Sequence, residues 1–70
     1  MIDLTEKIKI VMLKQKTSQV ELAELTGQTK SNLSNKLSRN DFKLSEYEKL
    51  VNALGCTLEI SIVLPSGERI

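Results

Sequence analysis

Positions 30 to 36 read Lys-Ser-Asn-Leu-Ser-Asn-Lys. Apart from Leu33, each of these side chains donates or accepts hydrogen bonds, and none titrates near neutral pH. Lys30, Ser31, Asn32, Ser34, Asn35 and Lys36 are therefore equipped to recognise a surface rather than to make or break bonds. An asparagine amide can pair with adenine N6 and N7, and a lysine ammonium can donate to guanine O6 and N7. Covalent chemistry needs other groups. The chain has no histidine, a single cysteine (Cys56), no glycine-rich phosphate loop and no cluster with metal-ligand spacing. Its carboxylates fall in helix-start signals or on polar faces. The sequence predicts a binding protein, not an enzyme, with neither cofactor nor metal.

Side chains act together only if a rigid element presents them. Leu33 and Leu37 lie four apart, so on a helix they share a face and point inward while the polar residues point out. Thr29 is placed to cap that helix, which the pattern puts at 30–37. Upstream, Ser18 and Glu21 form a capping box at the start of a helix carrying Val20, Leu22, Ala23, Leu25 and Thr26. Gly27 follows its last periodic residue, where a left-handed residue lets the chain leave the helix axis cheaply. Ala23 is small enough for a steep helix crossing. Two short helices around a glycine corner, the second polar on its outer face, are the build of a helix-turn-helix. That unit places its second helix in the DNA major groove.

The segment resembles the helix-turn-helix of the phage-repressor and Cro-type family of bacterial and phage transcriptional regulators. The resemblance rests on Gln19, Glu21-Leu22-Ala23, Gly27, Thr29 and Leu33-Ser34 in one register, and extends from about Leu4 to Gly55. It implies that Gln19 contacts the DNA backbone. It implies base reading by the first turns of the next helix, at Lys30, Ser31, Asn32 and Asn35, with Ser34 on bases or phosphate. The chain departs from the family at three often apolar positions, occupied here by Thr26, Gln28 and Lys36. Thr29, Lys36, Arg39 and Lys43, with Gln19, are expected on phosphates, which set register and affinity but not sequence.

The remaining elements support this unit. A first helix is predicted from Leu4 to about Lys16, begun by Asp3 and Glu6. Its stripe is Leu4, Ile8, Val11 and Met12, widened by Ile10 or Leu13. Ser38-Arg39-Asn40-Asp41 reads as a polar loop. Phe42 and Leu44 are expected to plug the core. Ser45 and Glu48 form another capping box for a fourth helix, with Tyr47, Leu50, Val51 and Leu54 on one buried stripe and Gly55 at its end.

After Cys56 the period changes to two. Leu58, Ile60, Ile62 and Leu64 alternate along a strand pattern, Pro65-Ser66-Gly67 signals a turn, and Glu68-Arg69-Ile70 is too short for a robust return strand. A lone strand leaves its backbone groups unpaired. A second copy, antiparallel across a two-fold axis, is the expected remedy. The fold class expected is mostly α: a lambda-repressor-like domain of four helices over residues 1–56, with a C-terminal strand and tail at 57–70 pairing across a homodimer.

Composition sets the outer bounds. Seventy residues make one small domain, for which oligomerisation commonly adds stability. No run is long enough to cross a membrane, Asp3 and Glu6 interrupt any signal-peptide pattern, and the unpaired cysteine fits a reducing, cytoplasmic setting. The net charge is only +1, but it is unevenly spread. Residues 1–43 hold eight lysines and arginines against five acids, and residues 44–70 hold two against four. The basic excess lies on the part containing the motif. The expected function is sequence-specific binding of double-stranded DNA as a dimeric repressor on a palindromic operator. The alternative is an antitoxin-like protein that binds a toxin partner and also represses its own operon.

Overall fold

Helices form where the apolar residues take up a helical period: α1 (Leu4–Lys14), α2 (Gln19–Leu25), α3 (Lys30–Arg39) and α4 (Leu44–Ala53). The structure is a computed structural model and describes residues 3–70, so the first two positions of the 1–56 unit lie outside the described residues. Each helix sends one fully buried side chain into the common core: Ile8, Leu22, Leu33 and Leu50. Met12, Ala23, Leu37, Tyr47, Val51 and Leu54 complete it, with Leu4, Val11, Phe42, Ala53, Cys56 and Leu58 packed around the edge. Burial of these apolar surfaces drives the assembly.

The helix starts follow side-chain chemistry. The Asp3 carboxylate accepts from the Glu6 N–H. Ser18 and Glu21 form the full reciprocal box that their spacing predicts. The Thr29 hydroxyl accepts from the Asn32 N–H at 3.1 Å. The fourth start differs from expectation. Lys43, not Ser45, is the N-cap of α4, and it makes no side-chain capping bond. Lys43 is extended and its carbonyl already accepts from the Tyr47 N–H, so the helix begins at Leu44 and Ser45 sits inside it.

The helix ends share one device. In α1, α2 and α4 the second residue beyond the last helical one is left-handed: Lys16 (φ 53°), Gly27 (φ 68°) and Gly55 (φ 76°). In each, that residue's N–H bonds to the carbonyl three back and the next N–H to the carbonyl five back, which is a Schellman closure. This ends α1 at Lys14 rather than Lys16. α3 runs on through Ser38 and Arg39, beyond the expected end at 37, and stops at left-handed Asn40.

Three further expectations are corrected. Ile10 and Leu13 do not widen the α1 stripe and are 47 % and 80 % exposed. Leu44 is no core plug, because the first position of α4 turns outward; Phe42 does that work, edge-on to Tyr47 with ring centroids 5.4 Å apart. No strand longer than a single bridge forms at 57–64 among the described residues. The bridge joins Val63 to Arg69. Paired bonds between Ile62 and Ile70 and a bond from the Leu64 N–H to the Glu68 carbonyl close a short hairpin. The return segment thus does pair, because the Gly67 N–H bonds to the Leu64 carbonyl at 2.8 Å and tightens the turn. Residues 57–61 take no regular secondary structure, and among the described residues no backbone group bonds to theirs.

Candidate nucleic-acid interface

The geometry begins at the corner between α2 and α3. Gly27 reverses the chain, and a Cβ added there would meet no atom within 4 Å, so backbone conformation alone selects glycine. The residues on either side are Thr26 and Gln28. The Thr26 hydroxyl donates back to the Leu22 carbonyl at 2.8 Å and accepts from the Gln28 amide at 2.8 Å. These two departures from an apolar pattern therefore tie the corner together with hydrogen bonds. Gln28 Oε1 is buried without a partner.

α3 packs mainly on α2 through Leu33 and Leu37, beside the buried Ala23. Its opposite face carries the predicted reading residues. Lys30, Ser31, Asn32, Ser34, Asn35 and Arg39 are all exposed. Lys30, Ser31, Ser34 and Asn35 line one open concavity on that face. Arg39 is on the helix, about 13 Å along its axis from Lys30, and not in the expected loop. A helix with side chains is about 10–12 Å across, which suits a major groove about 12 Å wide.

The other predicted contacts sit at element ends. Gln19 is half-buried at the first position of α2, and Lys43 is exposed at the start of α4. Thr29 is exposed, with its oxygen engaged in capping α3. Lys36 stands apart from the set. It lies on the flank of α3 toward α4 and forms an ion pair with Glu46, each side chain 33 % exposed. The Lys36 hydrogen bond holds the Glu46 carboxyl below its ordinary value; desolvation opposes this, and the charges of Lys36, Lys43 and Lys49 add to it.

Three tertiary hydrogen bonds have no counterpart in the sequence pattern. The Asn40 side chain accepts from the Thr5 N–H at 2.9 Å, and the Thr5 hydroxyl donates to the Leu37 carbonyl at 2.6 Å. They lock the end of α3 to the start of α1. Gln15 donates to the Leu54 carbonyl at 2.8 Å and closes the end of α4 in the same way. An asparagine after a helical run is a signal for a left-handed stop, but its distant partner has no local sequence signature.

Among the described residues, no group of three or more His, Cys, Asp or Glu side chains could hold a metal ion. No helix among them is long and apolar enough to cross a membrane. No curated protein and no solved structure matches the chain. The sequence profile of the Cro/C1-type HTH DNA-binding domain matches residues 7–59, which take in α2, the corner, α3 and all of α4. With that profile spanning most of the chain and a polar helix held outward on a glycine corner, the protein belongs to the Cro/C1-type helix-turn-helix family, whose domains bind double-stranded DNA sequence-specifically and regulate transcription.

Proposed function

We propose that this chain is a dimeric repressor that reads a palindromic operator with α3. The observation that carries this reading is the convergence of Lys30, Ser31, Ser34 and Asn35 on one open concavity opposite the buried Leu33 and Leu37. Lys30, Ser31, Asn32 and Asn35 are assigned to base edges. Gln19, Thr29, Ser34, Arg39 and Lys43 are assigned to phosphates. Occupancy of an operator that overlaps a promoter then excludes the polymerase.

One short helix reads few base pairs, so two copies are needed for useful specificity. The 57–61 segment supports self-pairing. Its backbone is unpaired among the described residues, Leu58 anchors it to the core, and Ile60 and Ile62 are 60 % and 65 % exposed. Leu58, Ile60, Ile62 and Leu64 are assigned to the contact between copies. The antitoxin alternative shares this DNA face and adds a toxin partner; a toxin-like reading frame beside the gene favours it.

Selection of bound sequences from a random duplex pool tests the reading. The wild type is expected to enrich inverted half-sites whose centres lie about 34–36 Å apart. Asn35→Ala is expected to lose preference at one position of each half-site, by roughly 1–3 kcal/mol. A pool that stays random under wild-type selection overturns the proposal.

A further inference from the structure

We infer that Glu46 restrains DNA affinity by holding the Lys36 ammonium against α4 and withholding its charge from the phosphate backbone. This rests on the DNA-binding reading above and adds to it a residue on α4 that the recognition motif does not contain.

The placement is specific. Successive residues on a helix are about 100° apart, so Lys36 projects well to one side of Asn35, the centre of the outer face. Glu46 meets it from the first turn of α4. Among the described residues no other ion pair forms, so Lys30, Arg39 and Lys43 keep free ammonium and guanidinium groups while Lys36 does not. Lys43 and Lys49 also lie close enough to Glu46 for their charges to act on it, and its carboxylate is ionised at neutral pH. One acid thus sits among three lysines at the edge of the reading face.

The consequence follows from how cations bind DNA. A free lysine that meets a phosphate releases a condensed counterion, and this makes affinity salt-dependent. A lysine already neutralised by a carboxylate must first break its pair. Breaking it also leaves the carboxylate facing phosphates of like charge. Lys36 therefore adds little to the salt dependence of the wild type. Neutralising Glu46 removes the restraint and lets one more ammonium reach a phosphate.

The test is the slope of log affinity against log salt for a 20-base-pair random-sequence duplex, followed by fluorescence anisotropy. Four proteins are compared: wild type, Glu46→Gln, Lys36→Gln and the double variant. Glu46→Gln is expected to steepen the slope by about 0.9 and to tighten binding roughly tenfold at 50 mM salt. Lys36→Gln is expected to keep the wild-type slope. The double variant is expected to match Lys36→Gln, because the ammonium released by the loss of Glu46 is that of Lys36 itself. The inference is overturned if Lys36→Gln alone flattens the slope by about 0.9, since Lys36 then already reaches phosphate. It is equally overturned if Glu46→Gln leaves the slope unchanged, or if the double variant stays as steep as Glu46→Gln. A flattened slope for Lys36→Gln overturns the inference even if Glu46→Gln folds poorly. Absence of wild-type binding to any duplex at low salt is a different result, and sinks the DNA-binding reading together with this one.

Discussion

At the scale of single residues, the side chains that touch solvent are more legible in the sequence than those that tie elements together. Ser31, Asn32 and Asn35 can be placed on one face because a helical period and two inward leucines fix that face locally, and Lys30 is exposed as the first residue of the helix. Glu46 and Asn40 cannot be read in the same way, because their partners lie on other helices and come close only after folding. Tyr47 combines both kinds of information. Its ring belongs to a helical stripe visible in the sequence, while its hydroxyl donates to the Leu4 carbonyl 43 positions away, at 3.0 Å. Burial raises its phenol above the ordinary value of 10.0, because the charged form is poorly solvated there. A folded-state value above the unfolded one contributes stability that is fully present below about pH 10 and is lost as pH rises through the folded value. Tyr47→Phe should cost about 1 kcal/mol at neutral pH through the lost hydrogen bond. It should also remove this alkaline loss. Thermal unfolding at pH 7 and pH 11 checks both: the wild-type melting temperature should fall further between the two than that of the variant.

At the scale of elements, starts are easier to read than stops. A start is written in one side chain and the residue three beyond it, as at Ser18 and Glu21, and this places three of the four; α4 is the exception, because its N-cap Lys43 makes no side-chain bond. A stop depends on which residue takes a left-handed backbone, and only two of the four stops use glycine. Gly27 and Gly55 are legible; Lys16 carries no such signal and Asn40 a weaker one than glycine, and it is α1 and α3 whose lengths differ from expectation. The same device in two chemistries makes a paired prediction. Lys16 bears a Cβ in a conformation that costs a non-glycine residue roughly 1–2 kcal/mol. Lys16→Gly should therefore stabilise the fold by about 1 kcal/mol. Gly27→Val should destabilise it by about 2 kcal/mol or more, since a β-branched residue is worse still at positive φ. For a domain of this size each kcal/mol moves the melting temperature by about 4–8 °C. Shifts of equal sign for the two variants would show that backbone conformation does not govern these stops.

At the scale of the whole molecule, the shape carries the remaining information. The radius of gyration is 13.3 Å and the extents are 43 × 23 × 18 Å. A compact domain of this length would have a radius of about 11 Å. Among the described residues, none past Leu58 packs in the helical core. The alternating sequence of the C-terminal tail announces a segment outside the helices. Its pairing cannot be read, because a strand's partner is set by whatever edge is available, in this chain or another. Among the described residues that edge is the short return at 68–70, which reaches only residues 62–64 and leaves 57–61 open. The exposed Ile60 lies on this open stretch, outside the helical core, so changing it tests association with little loss of core packing. Ile60→Asp places a charge where two antiparallel copies would meet, and like charges directly opposite are destabilising. The wild type is expected to sediment as a dimer at micromolar concentration. The variant is expected to sediment as a monomer with an unchanged helical circular dichroism spectrum and much weaker operator binding. A variant that remains a full dimer would remove the tail from the interface and require the two reading helices to be spaced by another surface.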